Sequence, residues 1–437
     1  MVIIPTKRFW AFVAMGIPIA MLGAVIPGAH WWLVPYNLGL LVIFFVTGRL
    51  ALKSDQLKVT RKSQSILSVR VPNAVRLTVE NLTVDRLRFQ LRDEPPTHAT
   101  ATNHEFDVTL EPERVREFDY TITPYERGDG SFGDTWLRIM APLGLAWAQK
   151  LLPTGQAARV YPNVQAVKEY ELLKQKGHLS LMGVRKSRIK GLGQEFESLR
   201  EYNEDDYRMI DWKASARRNK LVVKNFEQEK NQAVIICVDV GRHMLSEVAG
   251  VRKLDYCLDS SLMLMHAAER AGDQVGLLVF NDVIKRYIVP KKGRHQIAAI
   301  LDTIHAVQAE PVQPNYQAAF AYLSSRWKRR SLIVVFSDAE NEDQANELVA
   351  SLSHLNRRHL LMVVRVGDPR MRELTQKAVS RPEDLYDRAS ALWYVADRRK
   401  AEIRLRAAGF QTIEAEPEEL SAALVRAYLR VKELSLI

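Results

Sequence analysis

The residues best suited to chemistry lie in one stretch, GLGQEFESLREYNEDDYRMIDWKASAR, at 191–217. Carboxylates outnumber basic residues strongly between Glu195 and Asp211. Two or more carboxylates that converge on one divalent cation could support metal-assisted hydrolysis. The residues that this hydrolase alternative would use are Glu195, Glu201, Asp205, Asp206 and Asp211. No His-rich or Asp-x-Asp context accompanies them, so we favour a solvated acidic face or local ion pairs with nearby arginines and assign no catalytic residue.

The elements that would position polar residues alternate between strand and helix over 233–437. Apolar runs typical of buried parallel strands occupy 233–240, 274–280, 331–338 and 359–367. Helices are predicted at 252–271, 316–328, 341–356, 398–408 and 418–433. This alternation predicts a doubly wound α/β domain, of the Rossmann type, with right-handed crossovers. Ligands of such sheets bind at the carboxyl ends of the strands, which here carry Asp239, Asn281, Asp282, Asp338 and Asp368.

A different pattern precedes that domain. Short alternating stretches at 75–84, 87–93, 105–111 and 116–123 are separated by turn residues. Such spacing predicts a β-sandwich-like domain over 55–162. We expect it to serve interaction or spacing. A linker at 163–194 and the carboxylate-rich segment at 195–232 join it to the α/β domain.

The first residues are the most apolar of the chain. Two uncharged runs, 9–26 and 31–48, are each just long enough to cross a bilayer as a helix. The short join between them predicts a hairpin of two transmembrane helices, so that residues 1–54 form a membrane anchor. A signal peptide is the alternative, and the second apolar run argues against it.

Basic residues flank the predicted hairpin. The chain has 437 residues and a formal net charge of +11. The residues that precede the first run or follow the second are Lys7, Arg8, Arg49, Lys53, Lys58, Arg61 and Lys62. The positive-inside rule then predicts a multi-pass protein of the cytoplasmic membrane, with both termini and the soluble domains in the cytoplasm. We attribute most of the excess charge to topology and lipid headgroups and expect no nucleic-acid partner.

The carboxylate-rich stretch resembles the signature of the bacterial "domain of unknown function 58" family. The matching residues are Gly191, Gly193, Glu195, Phe196, Leu199, Arg200, Glu201, Tyr202, Asp205, Asp206, Arg208, Ile210, Asp211, Trp212, Ser215, Ala216 and Arg217. The family pattern usually has Pro-Gly before the Asp pair, where this chain has Asn203 and Glu204. The order of apolar hairpin, β region and α/β domain also resembles the family.

The resemblance implies that the α/β domain is similar to a von Willebrand factor A domain, whose loops bind Mg²⁺ and dock a partner carboxylate. On this sequence the residues at the ligand positions are Asp239, His243, Asn315 and Asp338, with Gly241 and His243 in place of hydroxyl residues. Glycine supplies no side-chain ligand and imidazole suits Mg²⁺ poorly. The implied metal site is therefore degenerate. We expect polar capping of loops by the two Asp residues in its place.

The family resemblance also implies a partner, a MoxR-type AAA+ ATPase that assembles or matures other proteins. We therefore interpret the chain as a cytosolic interaction module on a membrane anchor and not as an enzyme. Other membrane or envelope proteins would be its clients. The docking surface that we predict is formed by Asp239, Arg242, His243, Asn315 and Asp338. The alternatives are the metal-dependent hydrolase and a structural envelope protein in which the β domain provides the function.

Overall fold

A computed structural model describes residues 2–26, 28–51, 57–64, 66–163, 195–202, 210–218, 220–227, 231–434 and 436. The chain divides into two compact units, Met1–Tyr161 and Pro162–Ile437. Each unit is described by itself below.

The first unit is rich in β-strands. Strands β1 to β12 are Val2–Pro5, Leu57–Ser63, Ile66–Ser68, Asn73–Asn81, Leu87–Arg92, Ala99–Thr102, Glu105–Leu110, Val115–Pro124, Gly128–Phe132, Thr135–Met140, Ala146–Leu152 and Gln156–Tyr161. Helices α1 to α3 are Lys7–Ala14, Gly16–Val25 and Leu33–Ala51.

The strands of this unit form several sheets around a main core. The sheets have the orders β1-β11-β10-β5-β7, β2-β4-β8-β6 and β3-β12-β9. Their neighbours are antiparallel except for β3 and β12, which are parallel. Strand β4 alternates buried and exposed positions, as expected of a strand with one face on a core. Leu77 and Ile122 from one sheet and Phe89 and Leu137 from another meet in this core.

The N-terminal segment differs from the predicted transmembrane hairpin. The first predicted span is two helices, α1 of 8 residues and α2 of 10. Neither reaches the roughly 20 residues that cross a bilayer. Within the described part of the chain, the one helix long and apolar enough to span a membrane is α3, with 19 residues. The prediction of two transmembrane helices and a multi-pass topology is therefore wrong.

Contacts with the sheet hold the start of this segment. Strand β1 pairs with β11, with Val2 opposite Gln149. The Thr6 hydroxyl accepts a hydrogen bond from the Phe9 amide and thereby caps α1. The rings of Phe9 and Phe44 lie 4.7 Å apart in a small core of this unit. Hydropathy alone does not distinguish apolar residues that pack on protein from those that face lipid.

One of the basic residues assigned to the membrane flank is buried. The Arg61 side chain is 1% exposed and pairs with Asp93, which is also buried. Arg61 Nη1 donates to the Thr154 carbonyl oxygen at 2.8 Å, and its guanidinium carbon lies 4.8 Å from the centre of the Phe132 ring. Asp93 also accepts from the hydroxyls of Tyr120 and Thr135. Arg61 therefore belongs to the β core and is not available to lipid headgroups.

The second unit begins with an antiparallel pair and continues into an α/β region. Its strands β13 to β22 are Glu195–Glu201, Val222–Glu227, Ala233–Asp239, Glu247–Val248, Val251–Arg252, Gln274–Phe280, Ile284–Lys291, Ser331–Phe336, Leu360–Val366 and Gln411–Ala415. Its helices α4 to α11 are Trp212–Arg218, Lys253–Arg270, Arg294–Ile304, Tyr316–Arg326, Glu342–Asn356, Pro369–Gln376, Pro382–Ala407 and Pro417–Glu433.

The large sheet of this unit is mixed. Its order is β19-β18-β15-β20-β21-β22. The pairs from β18 to β22 are parallel, whereas β19 returns antiparallel to β18. The fold class predicted from the sequence is therefore wrong in two respects: the sheet is not wholly parallel, and one candidate membrane helix replaces two. Strand β19 was missed because it is a half-exposed edge strand, without the continuous apolar run of a buried strand.

Two apolar cores cover the two faces of this sheet. Alternate residues of β15 point to opposite faces, so Ile236 lies in one core and Ile235 in the other. Helices α5, α6 and α11 close the first core, and helices α7, α8 and α10 close the second. The polar residues at the carboxyl ends of β15 and β20 therefore stand on a rigid support.

Candidate functional site

The candidate site is the loop region at the carboxyl ends of β15 and β20. Asp239 is the last residue of β15, and Asp338 follows β20. Both are almost completely buried, with exposed fractions of 0% and 1%. Their surroundings decide whether they can bind a cation or a partner.

Asp239 is held by neutral donors. Its Oδ1 accepts from the Gly241 amide at 2.8 Å. Its Oδ2 accepts from the hydroxyls of Tyr316 at 3.1 Å and Ser337 at 3.0 Å. Burial raises the pKa of Asp239, although these hydrogen bonds oppose the shift. Its carboxylate therefore acts as the capping group of the loop that follows β15.

Gly241 explains why the loop lacks a hydroxyl residue there. A Cβ atom at this position would lie 2.9 Å from the Val312 carbonyl oxygen and from Pro314 Cδ. Real Cβ atoms are not found that close to other heavy atoms, so a serine would force the neighbouring loop to move. The close packing of these two loops therefore excludes a serine hydroxyl as a ligand at position 241.

Asp338 is held by two cations. It pairs with Lys253 Nζ, and its Oδ1 accepts from Arg398 Nη1 at 2.8 Å. Burial alone would raise the pKa of Asp338, but Arg398 and Lys253 outweigh burial and lower it. Burial likewise opposes the charge on Lys253 and Arg398, but nearby carboxylates raise the pKa of both. All three groups are therefore ionised near neutral pH.

The two cations extend this cluster across the sheet. Lys253 Nζ also donates to Glu340 Oε1 at 3.0 Å. Arg398 Nε donates to Glu414 Oε1 at 3.1 Å. Arg365 on β21 pairs with the same Glu414. We call Lys253, Asp338, Glu340, Arg365, Arg398 and Glu414 the ion cluster. It ties α5 and α10 to β21, β22 and the segment that follows β20.

The arrangement does not fit a magnesium site. The Lys253 ammonium lies against Asp338, where a metal would have to bind, and Asp239 is occupied by protein donors. Asn315 Oδ1 accepts from the Ala318 amide at 2.9 Å and so caps α7. Among the residues that the structure describes, no group of three or more His, Cys, Asp and Glu side chains is placed to hold a metal ion.

Titration of the full chain with Mg²⁺ or Mn²⁺ is therefore expected to give no heat of binding at the Asp239 and Asp338 loops. Isothermal titration calorimetry in detergent measures this directly. An Asp239→Asn variant is the control, because any heat from this site would disappear with that carboxylate. Saturable heat that depends on Asp239 would contradict the assignment, and heat that survives the substitution would instead support the carboxylate-rich segment of the hydrolase alternative.

Of the three remaining predicted residues at this edge, Arg242 and Asn315 are exposed. Arg242 opens a short 3₁₀ turn, Arg242–Leu245, and its side chain is exposed. Its Nε lies 3.4 Å from His243 Nε2. His243 is half-buried, and its Nδ1 lies 3.9 Å from Glu340 Oε2. The Arg242 amide donates to the Val312 carbonyl oxygen at 2.9 Å, and the Asn315 amide donates to the Asn281 carbonyl oxygen at 2.7 Å. The loops after β15 and β18 are thus both joined to the segment before α7.

The family signature at 191–217 includes strand β13 and all but the last residue of helix α4. Glu195, Arg200 and Glu201 lie on β13, but their side chains are outside the described part, as are Asp205, Asp206 and Arg208. Of the signature residues whose side chains are described, Asp211 caps α4, because its Oδ1 accepts from the Ala214 amide at 3.0 Å.

The other described signature residues differ in exposure. The buried Ser215 hydroxyl accepts from the Val222 amide at 3.0 Å and fixes α4 to β14. Tyr202, Trp212 and Arg217 are exposed. Ser215 and Asp211 thus have structural contacts, while the exposed three are free to meet another molecule.

The partners of the two buried Asp residues were not predicted from the sequence. Lys253, Tyr316, Ser337 and Arg398 all contact them. A signal was present, because a lone charge inside an apolar pattern must find a partner when the element is buried. Arg365, in the run LLMVVRV of β21, is the clearest case. The apolar pattern of the sequence does not show which carboxylate pairs with each of these cations.

Comparisons with known proteins give one family and several distant structures. The family described as "Protein of unknown function DUF58" matches residues 198–414. No curated protein matches the chain.

Several solved structures match about a quarter of the chain. They include the CARDB domain of a Pyrococcus furiosus protein in complex with di-metal ions, at 14% identity over 24% of this chain and 86% of that chain, with a TM-score of 0.16. Another is the cupredoxin domain of amoB from Nitrosocaldus yellowstonii, at 10% identity over 25% and 89%, with a TM-score of 0.18. A third is a FixG-related protein from Vibrio parahaemolyticus, at 10% identity over 23% and 96%, with a TM-score of 0.16. Likenesses of this size carry no conclusion about this chain.

Proposed function

With the match over residues 198–414 supporting membership of the DUF58 family, we propose that this chain is a membrane-attached protein-interaction module. Its partner would be a MoxR-type AAA+ ATPase, and the chain would act as its adaptor or co-chaperone in the assembly or maturation of other proteins. The ATPase comes from the family resemblance of the sequence. The structure contributes a candidate surface for it.

The observation that carries the proposal is the contrast between the two layers of the candidate site. The lower layer is Asp239 and the ion cluster, in which each charged group has an oppositely charged partner and only Glu340 and Glu414 are partly exposed. The upper layer is a set of exposed loop residues, Arg242 and Asn315 above all, held by backbone hydrogen bonds between loops. Rigid loops with exposed polar groups lose little entropy when a partner binds. This favours binding over chemistry.

The structure changes which residues would touch the partner. Asp239 and Asp338 are buried, so neither can dock a partner directly. Arg242 and Asn315 remain exposed, whereas the His243 side chain is 12% exposed. A guanidinium binds carboxylates in a bidentate manner, so the partner surface that fits Arg242 is acidic. The contact that we propose is direct and needs no bridging metal.

In this proposal, helix α3 attaches the chain to the cytoplasmic membrane. This helix has 19 residues and ends near Arg49. The exposed Lys58 and Lys62 follow it. By the positive-inside rule these residues favour a cytoplasmic position for the chain after α3, where an AAA+ ATPase has access to ATP.

Reversal of charge at Arg242 tests the docking surface. We expect Arg242→Glu to reduce recovery of the ATPase with the full chain from detergent-solubilised membranes about tenfold or more, because like charges then face each other across the contact. The measurement is quantitative co-purification. Arg286→Glu, an exposed arginine on β19, is the matched control and should leave recovery unchanged. Equal recovery with both variants would remove this edge from the proposal.

A further inference from the structure

Helix α10 displays large apolar side chains that no described part of the chain covers. Leu385, Leu392, Trp393 and Ile403 are exposed by 57%, 50%, 70% and 60%, and Tyr386 by 75%. We call these five residues the α10 stripe. Folded soluble surfaces rarely keep contiguous apolar patches of this kind unless they bind something.

The stripe faces away from the second unit. A helix repeats about every 3.6 residues, which places Leu385, Leu392 and Ile403 on one line and Tyr386 and Trp393 beside it. The opposite side of the same helix is buried, with Ala391, Arg398, Ala401 and Leu405. One side of α10 therefore packs on the rest of the second unit, and the stripe lies on the opposite, outward side.

The charged residues of the same helix are distributed unevenly around its axis. Arg388 and Arg399 fall on one flank of the stripe by helical spacing, and within the described residues neither has a carboxylate partner. Three of the five acidic residues of this helix are paired, Asp384 with Lys377, Asp397 with Lys400 and Glu402 with Arg406. The other two, Glu383 and Asp387, are exposed but fall on the side of the helix opposite the stripe by helical spacing. The outward side of α10 therefore combines apolar and aromatic groups with two unneutralised arginines.

We propose that the α10 stripe docks on the headgroup surface of an anionic lipid bilayer. Trp and Tyr favour the membrane interface, and an amphipathic helix with basic flanks lies in that plane. The unpaired arginines complement anionic headgroups. The proposal rests on the membrane attachment given above. It adds a second contact and a lipid class, because attachment by α3 keeps the bilayer at high effective concentration.

A fluorescent label at the centre of the stripe tests this contact. Trp393→Cys in the full chain provides one reactive thiol, because Cys237 and Cys257 are buried and burial raises the pKa of both. The labelled chain is reconstituted into phosphatidylcholine vesicles, with or without phosphatidylglycerol, that carry a nitroxide-labelled lipid. We expect strong quenching in the vesicles that contain phosphatidylglycerol, and its loss at high salt. Ser353→Cys, exposed on α8, is the control position and should stay unquenched.

Two further substitutions give the size of the effect. Arg399→Gln should lower the docking constant about fivefold, as expected for one basic residue near an anionic surface. Leu392→Ser should lower it further, while Val283→Ser, an apolar residue of similar exposure on another surface, should not.

The outcomes separate this inference from the proposed function. A chain that floats with vesicles of both compositions but shows no quenching at position 393 overturns the stripe and leaves attachment by α3 intact. A chain that does not float overturns both. Shielding of the label that rises with protein concentration, or only when the ATPase is added, would assign the stripe to a second copy or to the partner and equally overturn the lipid contact.

Discussion

Replacement of Asp338 by Asn is expected to lower the free energy of unfolding of the second unit by about 3–5 kcal/mol. The substitution keeps the shape of the side chain and removes its charge. Lys253 and Arg398, whose side chains are 4% and 5% exposed, would then remain as buried cations with one carboxylate fewer between them. Breaking a buried pair in this way leaves charge that nothing else compensates.

Hydrogen exchange of the β20 and β15 amides, followed against denaturant concentration, measures this loss in the full chain. Glu416→Gln is the matched control, because Glu416 pairs with Arg372 at the surface, where both are at least 40% exposed, and such pairs contribute about 0–1 kcal/mol. Equal effects of the two substitutions would show that the ion cluster does not stabilise the sheet.

The same variant changes how the stability of this unit depends on pH. In the unsubstituted chain, Arg398 and Lys253 lower the folded-state pKa of Asp338 below 3.8. The stabilisation that the ionised Asp338 carboxylate provides is therefore complete above the unfolded-state pKa of about 3.9. It is lost as the pH falls through the lower folded-state value. Asp338→Asn should lack this part of the acid sensitivity.

Replacement of Arg61 by Met is expected to destabilise the first unit by about 3–5 kcal/mol. The methionine would fill much of the space of the arginine stem but leave Asp93 as a buried carboxylate. Asp93 would retain the hydroxyls of Tyr120 and Thr135 as donors, and these carry no charge. The hydrogen bonds that Arg61 donates to Asp93 and to the Thr154 and Gly133 carbonyl oxygens would be lost as well.

Arg76→Met is the control for this substitution. Arg76 pairs with Asp119 on the outer face of the same unit, where the two side chains are 48% and 61% exposed. We expect little or no change for this surface pair, because exposed ion pairs are screened by solvent. Exchange of the β4 and β10 amides distinguishes the two variants. If Arg61 faced lipid headgroups as the sequence suggested, Arg61→Met would change membrane binding and leave this exchange unaltered.

Several elements could be located from the sequence because local hydropathy specifies them. The apolar runs at 233–240 and 274–280 coincide with β15 and β18, since a strand buried on both faces has no polar position. The predicted helix at 252–271 corresponds to α5. Helix α10 was predicted only at 398–408, although it begins at Pro382 with Glu383 and Asp384 in its first turn. Its exposed apolar stripe hides the two-sided pattern by which an amphipathic helix is recognised.

What the sequence determined by itself was thus the identity of the locally patterned elements, the polar residues at the ends of two strands, and the resemblance of residues 191–217 to a family signature. The tertiary structure decided how the strands pair, including the antiparallel edge strand β19, and what each charge does. Arg61 became a core residue of the β unit, and Lys253 occupied the place where a metal was implied. The physical reason is that burial and ion pairing join residues far apart along the chain, such as Lys253 and Asp338. The energy of such a pair depends on distance and exposure, which local composition does not contain.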